Sequence, residues 1–467
     1  MKAKFTSTLS SSRATQPIST NLQAPGNRAF INNRHPLLSS PETDLIRRDA
    51  AIPGLATVLD PDAFMVALRR AAPEADLRMA RITYLRYKPQ RYCRVAYQLD
   101  VAGTELDVDV RACRPEDIGP WLEESERANA TGPLGRGCVI LEHCAVLVFV
   151  FPNDLKLPAL QHLTDAVERT RILRELLPDR SELWQGELRC LRYRPERRYV
   201  AEFRATGENR VLLKAYTRKG YNRCKHNVQS FQSRGRLRVA RLLGCSDKNR
   251  LLAFEWLPGR LLMDLCTSPE LDCAAVTAVG GALATLHGQD SSGLSGWTRA
   301  AEAADLLSLS SEIGFICPRL AGRADGLARR LAALLSGAPP KHCALHGDFS
   351  ANQVLVSENN VSIIDLDWAC SGDPADDLGN FLAQSERIAL RGEFPRDRVG
   401  LLKESLLKGY ALASDGWLPD RVELYTAVEV FRRTRFPFRG REPDWPQRTE
   451  SLLERAEVIL NHRAATT

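Results

Sequence analysis

The stretch richest in groups that could do chemistry is His346-Gly347-Asp348-Phe349-Ser350-Ala351-Asn352-Gln353, running on through Val354-Leu355-Val356 to Ile363-Ile364-Asp365-Leu366-Asp367. A carboxylate in a loop, such as Asp348, can orient a hydroxyl and take its proton. Asp365 closes an apolar run and can offer a hard anionic oxygen to Mg²⁺. A side-chain amide at the start of the preceding apolar run can offer a second oxygen. Two acids and an amide on such a frame suffice for phosphoryl transfer from ATP, because that reaction is mostly positioning and charge neutralisation.

The elements that must hold these residues can be read from the pattern around them. Gln353–Ser357 and Val361–Leu366 form an apolar hairpin about the turn Glu358-Asn359-Asn360. It lies within a region of long helical patterns, for example Ala274–His287 and Arg323–Leu335. The earlier half of the chain is strand-rich: Ile82–Tyr87, Cys93–Leu99, Glu105–Ala112, Cys138–Glu142 and Ala145–Phe151 carry branched and aromatic residues between Pro and Gly breakers. Asp60-Pro61 opens a short helix to about Ala72, and Leu157–Leu177 has helical spacing ending at Pro178. Leu191-Arg192-Tyr193-Arg194-Pro195-Glu196-Arg197 repeats Leu85-Arg86-Tyr87-Lys88-Pro89-Gln90-Arg91 in residue type, and Arg111 then falls where Lys214 falls. A three-stranded unit is therefore expected twice. A strand-rich part followed by a helical part with one hairpin is α+β and two-lobed.

The motif resembles the aminoglycoside phosphotransferase and choline kinase-like small-molecule kinases, whose pattern runs His-Gly-Asp, Asn, a short hairpin, then Ile-Asp. Gly372-Asp373-Pro374-Ala375-Asp376-Asp377-Leu378 matches their Gly-Asp-Pro-x-x-Asp-Leu stretch. The resemblance implies a two-lobed protein-kinase-like fold, with a β-rich N-lobe and a helical C-lobe. It implies ATP and Mg²⁺ as cofactors and a small-molecule hydroxyl acceptor such as a sugar, an amino alcohol or an aminoglycoside-like compound. Asp348 would be the catalytic base, Asp365 the principal metal ligand and Asp377 a structural acid bracing the catalytic loop, with His346 also structural there. The family's asparagine position holds Gln353, which is expected as the second metal ligand, while Asn352 caps the loop. Val211–Tyr216 resembles the third strand of a kinase N-lobe, so Lys214 would contact the nucleotide phosphates. No glycine-rich loop is present; the turn Arg194–Arg198 stands in its place, with Arg197 expected over the phosphates. No acid lies between Lys225 and Arg238 to pair with Lys214, which leaves a partner such as Asp365. Leu251–Gly259 resembles the inter-lobe hinge, where the backbone of Glu255 and Leu257 would meet adenine.

The expected organisation is a disordered tail over 1–48, a cap-like α+β domain over 49–185 similar to the cap of maltokinase-like proteins, an N-lobe and hinge over 186–258, and a helical C-lobe over 259–467. The alternative to an active kinase is a catalytically weak kinase-like nucleotide-binding or regulatory protein. A protein kinase would carry His-Arg-Asp and Asp-Phe-Gly where this chain has His-Gly-Asp and Asp-Leu-Asp. Composition is ordinary for a globular protein, with 44% hydrophobic and 26% charged residues and a net charge of +7 spread along 467 residues. There is no dense basic run with aromatics, which argues against nucleic acid as a partner. There is no apolar run of membrane-spanning length, which argues against a membrane. None of the 12 cysteines forms a C-x-x-C pair, so buried reduced thiols and a cytoplasmic location are expected. The Ser/Thr-rich start, without an acid before Glu42, also has the composition of a transit peptide. Arg432, Arg433, Arg435, Arg439 and Arg441 read as a solvated basic face. Nothing in the sequence sets the oligomeric state.

Overall fold

The computed structural model describes residues 39–466 apart from Thr206 and Glu208. The expected tail lies outside the described residues up to residue 38, but its last part is helical: α1 spans Ser40–Arg48. The Glu42 carboxylate accepts from the Ser39 N–H and hydroxyl, closing a capping box. Leu45 is fully buried, so this turn belongs to the folded body.

Helices α2 (Leu55–Leu59) and α3 (Pro61–Ala71) follow, the latter capped by Asp60 accepting from the Asp62 and Ala63 N–H groups. Then comes a sheet of β1 (Leu77–Lys88), β2 (Tyr92–Val101), β3 (Thr104–Cys113), β4 (Cys138–Leu141) and β5 (Val146–Val150), with the short helix α4 (Gly119–Ser125) between β3 and β4. The expected single helix over 157–177 is two, α5 (Ala159–Thr164) and α6 (Ala166–Leu176). Asp165 breaks it, because its side chain caps the second by accepting from the Glu168 N–H.

A second sheet contains β6 (Glu187–Arg194), β7 (Arg198–Arg204), β8 (Arg210–Tyr216), β10 (Leu242–Ser246) and β11 (Leu251–Glu255), with α7 (Arg218–Asn227) after β8 and the short β9 (Leu237–Arg238) pairing elsewhere. The two sheets share one plan. The first runs in the order β1-β2-β3-β5-β4 and the second β6-β7-β8-β11-β10. The repeat expected over three strands thus extends to five and includes the helix after the third. Even the turn anchors agree. Asp49 Oδ2 accepts from Tyr87 Oη and the Gln90 N–H, and Asp154 Oδ2 accepts from Tyr193 Oη and the Glu196 N–H. Gln90 and Glu196, at matching places in the two turns, are both left-handed, with φ of 58° and 52°.

The helical lobe comprises α8 (Leu262–Thr267), α9 (Cys273–His287), α10 (Arg299–Ile316), α11 (Ala321–Ser336), α12 (Ala375–Leu390), α13 (Asp397–Ala413), α14 (Val422–Arg432), α15 (Phe436–Arg439) and α16 (Trp445–Thr466). It also holds short strands: β12 (Arg260–Leu261) pairs with β14 (Val354–Val356), β14 with β15 (Val361–Ile363), and β13 (Cys343–Leu345) with β16 (Cys370–Gly372). The core of the first sheet is continuous with that of the helical lobe, whereas the second sheet has its own core closed by Leu160, Leu163, Ile172 and Leu176. Burying side chains of this kind stabilises by about 1.5–3 kcal/mol each. The lobe with the separate core is hung between two parts that share one. The α+β, two-lobed expectation holds. Among the described residues no helix is long and apolar enough to cross a membrane.

Candidate active site

The loop after β13 turns sharply at Gly347, where φ is +76° and a Cβ would stand 2.1 Å from the Trp368 carbonyl oxygen, so only glycine fits. Asp377, one turn into α12, braces this loop. Its Oδ2 accepts from the His346 N–H at 2.7 Å and its Oδ1 from the Gly347 N–H at 2.9 Å. His287, at the end of α9, meets the same carboxylate at 3.0 Å through Nε2 and Tyr410 Oη through Nδ1. Burial alone would raise the Asp377 carboxyl, but the hydrogen bonds from His287 and from the His346 N–H outweigh it and hold the carboxyl below its ordinary range. His346 itself meets the Ile364 carbonyl through Nε2 and the Asp348 N–H through Nδ1, which requires the Nε2–H tautomer. Phe349 is fully buried, 5.9 Å from Phe381, and anchors the loop in the helical core. Asp348 is left at the surface of the site. Desolvation by the surrounding site, with help from the charge of Asp365, raises its carboxyl above the ordinary value.

Asp365 follows β15 in the left-handed region, at φ 69°. Lys214, from β8, reaches it at 2.8 Å and Asp367 at 3.2 Å. Arg198, the first residue of β7, brings a single nitrogen, Nη1, within 3.0 and 2.9 Å of the two Asp365 oxygens and 2.9 Å of Asp367 Oδ2. Tyr216 Oη also donates to Asp367 at 2.8 Å. Burial alone would push the Lys214 ammonium down and the Asp365 carboxyl up. Opposite charges outweigh it, so Lys214 is held above its ordinary value and Asp365 well below. Helix α7 has no acid to offer Lys214, and contributes Cys224, 3.3 Å from Asp367, and Asn227, which donates to the Ala369 carbonyl at 2.9 Å. The lysine's partner comes from across the cleft.

These groups close one end of a cleft of about 280 Å³ whose walls include Leu212, Phe254, Leu257, Leu261, Leu355 and Ile363. Such apolar walls suit a planar base. Glu255, Trp256 and Leu257 line it where the chain passes between lobes. The Glu255 N–H is committed to the Arg241 carbonyl at 2.9 Å and its carboxylate to Arg241 Nε at 2.9 Å. Arg197 is exposed and lies outside the cleft lining, while Arg192 and Arg198 line it. Among the described residues Arg192 and Arg194 have no ion-pair partner. Burial and the neighbouring arginines lower both guanidiniums, Arg194 to about 9.

Gln353 and Asn352 both line the cleft, in the turn Ala351–Gln353. Of these two amides, Asn352 has a buried oxygen, Oδ1, with no hydrogen-bond partner. Among the described residues no group of three or more His, Cys, Asp or Glu could hold a metal. A divalent cation would therefore use Asp365 together with an amide oxygen. That all-oxygen set fits Mg²⁺, and the unpartnered Asn352 oxygen is the group in the cleft lining with a free lone pair to offer it.

The basic residues near the end are not a solvated face. Arg433 is buried and donates to Glu429 Oε2 at 2.8 Å and Asn380 Oδ1 at 2.5 Å, Arg439 pairs with Glu312, and Arg441 with Glu42. All 12 cysteines are free, but Cys190, Cys245 and Cys273 are exposed rather than buried.

Residues 192–425, half the chain, match the phosphotransferase enzyme family APH. The chain belongs to that family. This phosphotransferase is also similar to solved structures. One is a choline/ethanolamine kinase family protein from Mesorhizobium loti, at 18% identity over 63% of this chain and 95% of that one, with a TM-score of 0.42. Another is choline kinase from Cryptosporidium parvum Iowa II, at 12% identity over 65% and 97%, with a TM-score of 0.46. A third is macrolide 2'-phosphotransferase MphH from Brachybacterium faecium, at 17% identity over 57% and 91%, with a TM-score of 0.40. A search of curated proteins finds no match.

The residues missed in the sequence are Arg198, Asp367 and Tyr216. Arg198 and Asp367 each lie within two residues of an assigned position, so residue type alone did not separate them from Arg197 and Asp365. Tyr216, two places along β8 from Lys214, carries the strand alternation that would have placed it on the same face.

Proposed function

We propose that this phosphotransferase moves the γ-phosphoryl group of ATP to a hydroxyl of a small molecule. The supporting observation is that one loop-and-hairpin unit carries both acids: Asp365 lines the cleft and is faced by Lys214, and Asp348 lies close enough to feel the charge of Asp365. In this reading Asp348 orients the acceptor hydroxyl and takes its proton as the new O–P bond forms. Lys214, with Arg198 and Arg192, holds the phosphates. The hinge backbone at Glu255 and Leu257 meets the base. Asp365, with the amide oxygen of Asn352 or Gln353, would hold Mg²⁺, which neutralises charge on the transferring group when bound. Asp377 and His346 keep the loop in shape.

A small acceptor is favoured over a protein by the shortness of the chain between Asp365 and α12. The turn Leu366–Trp368 leads straight into β16, and Asp373 then fixes the start of α12, its Oδ1 accepting from the Ala375 N–H and its Oδ2 from Arg421 at 2.7 Å. No length is left for a segment on which a peptide could lie. The test is incubation with labelled ATP and either a metabolite extract or denatured cell protein. Label in a low-mass phosphate ester is expected, and label chiefly in foreign protein would overturn the proposal.

The second reading, a weakly active nucleotide-binding protein, draws on Arg198, whose Nη1 occupies both Asp365 oxygens that a metal would need. Metal-dependent ATP turnover against a panel of sugars, amino alcohols and aminoglycosides separates the two.

A further inference from the structure

The first sheet repeats the second strand for strand, yet its equivalent of the nucleotide cradle is full. In the second sheet Lys214 lies opposite Val200 on β7 and Leu252 on β11, with its ammonium 5.5 Å from the Phe254 ring. In the first, Arg111 lies opposite Arg94 on β2 and Leu147 on β5, with its guanidinium 4.0 Å from the Phe149 ring. Arg111 is thus the counterpart of Lys214. It pairs with Asp109 at 2.8 Å and with Glu124 of α4 at 2.6 Å. A further anion at this place comes from the other sheet. Glu196, at the tip of the β6–β7 turn, is bound by Arg94, by Arg111 at 3.3 Å and by Lys156 at 2.7 Å. The cluster is buried, with Arg94 and Arg111 at 7% and 3% exposure.

We propose that the first sheet is a duplicated nucleotide lobe converted into a clamp, whose arginine cradle grips Glu196 and so fixes the hairpin that roofs the phosphate end of the cleft. Glu196 is then a positioning residue. The inference rests on the nucleotide reading of the cleft given above. The physical link is short. Arg192, Arg194 and Arg198 flank Glu196 on the two strands of that hairpin, and Arg198 is the residue whose Nη1 meets Asp365 and Asp367. These arginines repel one another, so a hairpin carrying them is spread apart by its own charge unless something holds its tip. A glycine-rich loop would let backbone follow the phosphates. This turn has no such freedom: Asp154 holds its backbone through the Glu196 N–H, and the ion pairs hold the Glu196 side chain at its tip. Breaking a buried pair leaves uncompensated charge, so the grip is strong in one geometry and costly to loosen.

The test compares Glu196→Gln with Glu124→Gln in the full chain. Both remove a carboxylate partner of Arg111, but only the first frees the hairpin. For Glu196→Gln, amide hydrogen exchange over residues 192–198 should speed up on the order of tenfold, and the dissociation constant of magnesium–ATP should rise by a similar factor. For Glu124→Gln, the melting temperature should fall while both readouts stay at the parent value. Glu196→Asp, which keeps the charge on a shorter arm, should recover part of the loss. Unchanged exchange in Glu196→Gln would overturn the clamp, as would equal changes in both variants, which would mean general loosening. If the parent protein binds no ATP at all, the kinase reading fails, and the exchange comparison still decides the clamp by itself.

Discussion

Two sheets of the same plan sit in one chain, and they differ in where their central cation finds its counter-charge. Lys214 reaches out of its sheet to Asp365 and Asp367, on the other side of a cleft. Arg111 turns inward to Asp109 and Glu124, within its own repeat, and receives Glu196 from the hairpin of its neighbour. The scaffold is therefore not what makes a site. A cradle becomes a site when its counter-charges lie beyond an open space, and becomes an anchor when they lie within reach of one another. The arginine suits the anchor because its planar fork can serve several carboxylates at once, whereas the lysine is a compact point charge that can be handed from a carboxylate to a phosphate.

The largest expected contrast lies outside both sheets, at Asp348. Asp348→Asn should lower phosphoryl transfer by roughly 10² to 10⁴ while ATP affinity and melting temperature stay near the parent values, because the base acts on the acceptor. Steady-state rates and isothermal titration read the two halves of this statement, and parent-like turnover would sink the assignment.

The next pair sets the two cations against each other. Lys214→Ala should cost on the order of 10² in rate, since a positioned charge next to the transferring group is lost. Arg111→Ala should instead cost about 1–3 kcal/mol of stability, because Glu124 loses its pair and buried Asp109 keeps only Arg94. Denaturant unfolding beside rate measurement on both variants would break the comparison if the effects were exchanged. Because the Arg111 cradle is filled, one ATP should bind per chain, and titration showing two equivalent sites would contradict the anchor role.

Much of this contrast is legible in the sequence, and the limits have physical reasons. The acids and the loop between residues 346 and 367 stand out because phosphoryl transfer restricts residue type and spacing together. The matching turns Lys88-Pro89-Gln90 and Arg194-Pro195-Glu196 stand out because proline and a left-handed residue constrain a hairpin tip. The fourth and fifth strands of the repeat read as strands, but not as members of the duplication. Their residues are only generic buried apolar types, which carry no identity. The contact of Glu196 with Arg94 joins residues 102 apart, and no local pattern encodes it. The helix Ser40–Arg48 is hidden because what ties it down lies far along the chain: Glu42 meets Arg441, and Arg48 donates to the Ile316 carbonyl. The C-terminal arginines mislead partly for the same reason: the acids that meet Arg439 and Arg441 lie on other helices.

A smaller effect separates the two amides. If the orphaned oxygen marks the metal position, Asn352→Ala should weaken Mg²⁺ dependence about tenfold, in the range seen when a supporting metal contact is lost, and Gln353→Ala should do less. The reverse order would restore Gln353 as the ligand, the position that the resemblance favours.

The smallest expected effect is on the acid limb of the pH–rate profile. Desolvation and the nearby charge of Asp365 raise the folded-state pKa of Asp348. A general base works only when deprotonated, so kcat/KM should fall as pH drops through that raised value. The fall should therefore begin at higher pH than an ordinary aspartate, of pKa about 3.9, would give. Asp377 has the opposite sign. Its pKa is depressed, so the stability it contributes is present above the unfolded value and is lost only as pH falls further, through its lower folded value. The loop should thus keep its brace at a pH where the base has begun to protonate. Circular dichroism recorded alongside the rates makes the separation visible. Activity should decline while the fold is intact, and a rate that holds flat until the protein itself unfolds would remove Asp348 from the role of base.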